Sequence, residues 1–313
     1  MKNFKIIIFF LSILFFSCEK KTSENKIDIK KEISIPIFNK ENSFNYLIAQ
    51  TKFGPRVPNT QSHNLCLNFL HSELKKFADT VILQNFSQQI ETQNLNLTNI
   101  FAQFEIQRQN RILLSAHWDT RPFADRDEIL KKQNLPILGA NDGASGVSVL
   151  LEIAKILKIQ KPNCGVDILF VDGEDFGKEG TENYLLGSKY FAKNFLFKTK
   201  PQFGILLDMV GDKNLKILKE KNSIYFAPNI VDLIWNTANE IGIYEFEFNE
   251  GSALLDDHIP FNEIGIPTVD IIDFEYPDET NKFWHTTQDI PENCSGESLE
   301  KIGKVILKII YTQ

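Results

Sequence analysis

Two kinds of apolar run alternate along the chain. In the first kind, apolar residues recur every three or four positions. Asn42 to Thr51, Gln61 to Phe77, Leu186 to Phe195, Ile230 to Ile241 and Glu297 to Tyr311 have this spacing, which predicts helices with one apolar face. Over Gln61 to Phe77 that face is expected to consist of Leu65, Leu67, Phe69, Leu70 and Leu74. Another helix is expected to open from Gly139-Ala-Asn-Asp142-Gly-Ala-Ser-Gly146, with Val147, Leu150, Leu151, Ala154 and Leu157 on its core side. Runs of the second kind are short, continuous and rich in β-branched and aromatic residues. They cover 81–86, 95–106, 111–116, 166–172, 203–207 and 268–272, and read as strands. Strands alternating with helices predict an α/β fold, three layers deep, around a central mixed, largely parallel, twisted sheet.

The N-terminus breaks this pattern. Lys2 and Lys5 precede an apolar stretch, Ile6 to Phe16, that is too short for an ordinary membrane span but suits the core of a signal peptide. Ser17-Cys18 follows and resembles a bacterial lipoprotein processing site. The expected organisation is a signal peptide over 1–17, a lipidated Cys18 with a polar Lys- and Glu-rich tether over 18–34, and one catalytic domain over 35–313. The protein is then exported and anchored by lipid to a bacterial membrane. A plain secretory signal or an uncleaved anchor is the competing reading.

Composition narrows the class. At 313 residues, 42% of them hydrophobic, the chain can bury a large core. Its formal charge of −7 and the lack of a basic cluster in the folded part argue against nucleic-acid binding. Cys66, Cys164 and Cys294 match no metal knuckle or redox pair by spacing, and are expected to be buried small hydrophobes.

The chemistry gathers at strand ends. The run over 166–172 delivers Gly173-Glu174-Asp175, two adjacent carboxylates at the edge where open α/β sheets bind ligands. Such a pair repels itself unless one acid is protonated, moves into water or meets a cation. A solvated acidic turn is the bland reading, but other strand ends carry complementary groups. His117, Asp142, Asp208 and His285 each stand at a strand end or in a loop, and imidazoles with carboxylates and no thiolate suit a catalytic zinc. Asp256-Asp257-His258 is expected to open a short helix, with acids at the N-cap. The glycine-rich 139–146 stretch lacks the Lys-Ser/Thr ending of a phosphate loop.

Several of these segments together resemble the zinc aminopeptidase superfamily: Ser-Ala-His117-Trp-Asp119, Gly-Ala-Asn-Asp142-Gly-Ala-Ser-Gly, Asp-Gly-Glu174-Asp175 and Leu-Leu-Asp208-Met-Val-Gly. Asp256-Asp-His-Ile-Pro-Phe261, Phe283-Trp-His-Thr286 and Phe53-Gly-Pro-Arg-Val-Pro58 resemble its bacterial glutaminyl-peptide cyclotransferase branch. That resemblance implies one zinc held by Asp142, Asp175 and His285, with Glu174 as acid/base. It also implies hydrogen bonding by Asp208 and Asp256 around Glu174, and a pocket lined by Trp284. Asp175 is one methylene shorter than the Glu of animal members. A Trp expected after the acidic pair is missing, and Tyr184 is expected to replace it. The implied reaction converts an N-terminal Gln of peptides or exported proteins to pyroglutamate, with release of ammonia. One carboxylate accepts the amine proton and returns it to the leaving nitrogen. No Gly-x-Ser-x-Gly elbow is present, so no serine nucleophile is expected.

Two other readings stand beside this one. His117, Asp119 and Asp208 would also serve a two-zinc aminopeptidase, with His117 and Asp208 on the second ion. A surface lipoprotein that binds peptides or metal without turnover is the third, and the intact Glu174 speaks against it.

Overall fold

The continuous apolar runs become strands of one sheet in the computed structural model, which describes residues 34–178 and 181–313. The expected signal peptide, Cys18 and nearly all of the tether lie outside the described residues. The helices are α1 (Lys40–Thr51), α2 (Gln61–Phe77), α3 (Ala144–Ile159), α4 (Leu186–Lys193), α5 (Lys221–Phe226), α6 (Pro228–Glu240), α7 (His258–Glu263) and α8 (Gly296–Thr312). The strands are β1 (Thr80–Ile90), β2 (Gln93–Phe104), β3 (Arg111–His117), β4 (Gly165–Val171), β5 (Phe203–Asp208), β6 (Ile217–Lys219), β7 (Phe246–Glu250) and β8 (Thr268–Ile272). Among the described residues no helix is long and apolar enough to cross a membrane.

The main sheet has the order β1-β2-β4-β3-β5-β8. β4, β3, β5 and β8 run parallel, while β1–β2 and β2–β4 are antiparallel. Helices cover both faces, as the buried strands require. On one face, α1, α2, α3, α6 and α8 share a continuous apolar core with Ile112, Leu114, Ile168 and Ile205. On the other, Phe191 of α4 and Phe261 of α7 pack with Phe101, Leu113, Leu169 and Val171. The mixed, largely parallel α/β architecture expected from the sequence is therefore present. Its four parallel strands all end at one edge, and His117 and Asp208 are the last residues of β3 and β5.

Some local expectations are corrected. On α2 the buried residues are His63, Cys66, Leu70 and Leu74, whereas Leu65 is exposed. The helix is turned by His63, which stacks on Trp118 at 4.3 Å and hydrogen-bonds buried Asp172 at 2.9 Å. α3 is buried almost all round from Ala144 to Ala154 rather than along one face, because it lies between the sheet and α1, α2 and α8. Asp257 occupies the N-cap of α7, but its side chain caps nothing and instead accepts from the Ser188 hydroxyl. β6, α5 and β7 were not expected from the sequence. β6 and β7 are short and pair only with each other, so neither has the apolar run of a central strand. Cys66, Cys164 and Cys294 are free and buried.

Candidate active site

Backbone architecture builds the site before side chains do. After β4 the chain turns at Gly173, whose φ of +72° is costly for any residue with a Cβ. The turn presents Glu174 and Asp175. Asp119, buried just beyond β3, receives both of their amides: Glu174 N–H at 3.1 Å on Oδ1 and Asp175 N–H at 3.3 Å on Oδ2. A second buried carboxylate, Asp289, accepts from the Asn141 and Asp142 amides at 2.7 and 3.2 Å and so seats Asp142. Between these two segments, Gly143 passes so close to the Asp119 carbonyl that a Cβ there would stand 2.5 Å from it. Arg56 ties the 53–58 loop to the site by donating to the carbonyls of Trp118, Leu138 and Gly139.

The side chains converge on a cavity of about 190 Å³. Its wall includes Asp142, Glu174, Asp175, Asp208, Asp256, Tyr184, Trp284 and His285. The site residues expected for the one-zinc reading therefore line one space, whereas His117 and Asp119, candidates for the two-zinc reading, stand outside its lining, with His117 3.1 Å from Asp142 and Asp208. The Trp284 and His285 rings stack at 3.9 Å and 27°, with Phe274 edge-on to the indole at 5.1 Å. His285 reaches its place with φ at +55°, an unfavourable backbone for a residue with a side chain. Tyr184 stands with its hydroxyl 3.3 Å from the Arg121 guanidinium.

Among the described residues, two groups of three could each hold a cation, and Asp142 belongs to both. One is Asp142, Asp175 and His285, and the other is His117, Asp142 and Asp208. They differ in how far their members already bond one another. His117 Nε2 lies 3.1 Å from both Asp142 Oδ1 and Asp208 Oδ1, in hydrogen bonds. His285 Nε2 instead stands 3.6 Å from Asp142 Oδ2 and 3.5 Å from Asp175 Oδ1, with no hydrogen bond to either. Tetrahedral zinc ligands at about 2.0–2.1 Å from the ion stand roughly 3.3 Å from each other, so the spacing around His285 suits a shared ion, as does that around His117.

Electrostatics point the same way. Burial drives the His285 imidazole down to about 3, against the pull of Asp142, so it is neutral and its lone pair is available. Asp175 Oδ2 is buried with no hydrogen-bond partner. Burial, and then Asp142, push the Asp175 carboxyl well above its ordinary range, although Arg121 donates to its other oxygen at 2.7 Å. A cation between these groups would relieve both penalties, so the residues present fit zinc.

The other acids of the cavity have raised proton affinities. Burial, then Asp175, raise Glu174 well above the glutamate range, with Asp256 and Asp257 adding to it. Burial lifts Asp208 to about 7, opposed by His117. Burial opposes charge on His117, but Asp208, Asp119 and Asp142 outweigh it and raise its proton affinity strongly. The hydrogen bonds recorded for Asp208 and Asp256 do not run to Glu174. Asp208 is bonded to His117, and Asp256 accepts the Asp257 amide at 2.5 Å.

Four contributors were not singled out for these jobs from the sequence: Arg121, the clamping role of Asp119, Asp289 and Asp270. Asp270 lies in β8 beside Asp256, and neither of its oxygens nor Asp256 Oδ2 has a donor unless one proton sits between the two acids. The signal was a lone carboxylate inside the apolar run Val269-Asp270-Ile271.

Known proteins share this fold. A glutaminyl cyclase from Bacteroides thetaiotaomicron, solved with N-acetylhistamine bound, is 39% identical with a TM-score of 0.85, over 90% of this chain and 100% of that one. A Zn-dependent exopeptidase from Parabacteroides distasonis is 38% identical with a TM-score of 0.86, again over 90% and 100%. Aminopeptidase YwaD of Bacillus subtilis is 27% identical over 242 residues, which is 74% of this chain. The chain spans about half the length of that curated relative (47%). The profile of peptidase family M28 matches residues 99–310. That stretch runs from β2 to the end of α8, holds every candidate ligand and acid, and covers well over half of the sequence, so the chain belongs to peptidase family M28.

Proposed function

We propose that the chain is a zinc-dependent glutaminyl-peptide cyclotransferase acting on peptides or proteins with an N-terminal Gln. The observation that carries this is the cavity itself: Glu174, whose proton affinity is raised by its acidic neighbours, lines one space with the Asp142–Asp175–His285 triad and the Trp284 indole. The likeness to bacterial glutaminyl cyclases supports it.

Zinc bound by Asp142, Asp175 and His285 would supply a Lewis acid for the Gln side-chain carbonyl. Glu174 takes a proton from the α-amine as that nitrogen bonds the amide carbon, and gives a proton to the departing nitrogen, which leaves as ammonia. One proton is taken and one returned, so the step balances. Asp256 lines the same space and, as an acidic neighbour, helps keep the proton affinity of Glu174 high enough for both halves of the transfer, while Asp208 in the same lining is bonded to His117. Trp284 and Tyr184 border the space for the Gln side chain and keep water away from it.

A single zinc is the reading favoured here, because His117 is already bonded to both carboxylates of the other triad. The His117–Asp142–Asp208 group is also the one observation that favours the two-zinc aminopeptidase. Incubating purified zinc-loaded protein with a Gln-initiated peptide separates the two. The expected product has lost one ammonia and keeps all its residues. Release of free Gln with no ammonia would overturn the cyclase reading in favour of the peptidase.

Export and a lipid anchor on Cys18 belong to the same proposal and rest on the sequence of the first 18 residues. Cys18→Ser is expected to move the protein from the membrane fraction to the soluble exported fraction, because stable anchoring needs acyl chains. A mutant that stayed in membranes would point to an uncleaved apolar anchor.

A further inference from the structure

Cyclisation buries only the first residue of a substrate, so the rest of the peptide must leave the cavity by some path. A second hollow, of about 260 Å³, adjoins the first, and Leu254, Ile272 and Phe274 belong to the walls of both. A residue joined to the bound Gln therefore has this hollow as its neighbour. Its inner wall is apolar, with Leu218 added to the three shared residues.

Its rim is acidic, and the charges there are unevenly used. Glu220 is consumed by the fold: its carboxylate accepts from the amides of Asn222, Ser223 and Leu254. Lys216 is paired with Glu275 at 2.8 Å. Glu250, exposed at the end of β7, has no hydrogen bond or ion pair recorded for its side chain. Lys219 stands opposite it in the β6–β7 pairing, but its ammonium lies 4.8 Å above the Phe248 ring and 3.7 Å from Asp232. An apolar wall with a surplus carboxylate at its rim matches a side chain that has a hydrocarbon stem and a cationic tip.

We infer that this hollow is a specificity subsite for the second residue of the substrate, and that it prefers Lys or Arg there. The stem would lie along Leu254 and Phe274, and the charged end would reach Glu250, with Glu275 shared between it and Lys216. The inference rests on the cyclase reading and names its substrate class more narrowly.

The test compares kcat/KM of the zinc-loaded protein for Gln-amide and for otherwise identical peptides beginning Gln-Arg, Gln-Ala and Gln-Glu. Gln-amide has no second side chain and reads the catalytic cavity alone. The expected order is Gln-Arg, then Gln-Ala, then Gln-Glu, with about two- to fivefold per step, the scale of a partly exposed charge pair. The spread should shrink as salt is raised. Glu250→Lys is expected to reverse the order of Gln-Arg and Gln-Glu. Equal values for Gln-Arg and Gln-Glu, with Gln-amide cyclised, would overturn the subsite and leave the cyclase standing. No ammonia from any of the four would sink the cyclase reading itself.

Discussion

At the scale of single residues, the acids Glu174 and Glu220 are handled in opposite ways. Desolvation, and then the neighbouring acids Asp175, Asp256 and Asp257, raise the proton affinity of Glu174. Glu174→Gln preserves shape but cannot carry a proton. We expect folding and zinc content to be retained and turnover to fall by about 10²–10⁴-fold. Ammonia release together with metal analysis checks this, and near-normal turnover would remove Glu174 from the mechanism. Glu220 is surrounded by donors, which outweigh its burial and hold its carboxyl down at about 2 against an ordinary 4.5. A carboxyl depressed by folding stabilises the fold above its ordinary value, and that contribution drains away as pH falls from about 4.5 towards 2. Glu220→Gln should cost about 1–3 kcal/mol near neutral pH, and the gap to the unmutated protein should narrow below pH 4.5. Unfolding curves at several pH values measure it, and a gap that widened in acid would refute the assignment. Residues whose type announces chemistry, such as Glu174, Asp175 and Asp208, could be read from the sequence because they stand at or just beyond the ends of apolar strands. Asp289 and Arg121 could not, because their work is done on backbone amides and on another acid, contacts that only the fold creates.

At the scale of elements, α3 and β5 fit tightly. A Cβ on Gly146 would stand 2.2 Å from the Leu207 carbonyl oxygen, a backbone atom that cannot swing aside. Gly146→Ala should therefore push α3 off the sheet, despite alanine's better helix propensity, and destabilise by about 1–3 kcal/mol or more. Since α3 follows Asp142 and β5 ends at Asp208, the same substitution should also weaken zinc retention. Thermal unfolding and zinc retention together provide the test, and a mutant as stable as the parent would show that the contact can relax. Central elements such as β4 and β5 were legible because burial on both faces demands continuous apolar runs. The β6–β7 pair was not, because it depends on one long-range pairing rather than on a local pattern. The failed N-cap at Asp257 has the same cause. Its hydrogen bond to Ser188 of α4 is tertiary, and local capping rules take no account of it.

At the scale of the whole molecule, the number of ions separates two chemistries that share this frame. We expect one tightly bound zinc per chain, and no loss of it in Asp208→Asn, which removes a charge from the His117 triad only. Elemental analysis of both proteins decides the matter. Two zincs falling to one in the mutant would move the reading to the peptidase. The grip of Asp119 on two successive amides matters most here. Proton carrier and ion ligand are neighbours on one peptide unit, clasped by one carboxylate, while the other ligands arrive from distant parts of the chain. When the loops breathe, Glu174 and Asp175 must travel as a single piece. Motion can tilt that piece against the rest of the site, but the spacing between the two carboxyl-bearing residues is hard to alter, like two teeth cut on one gear.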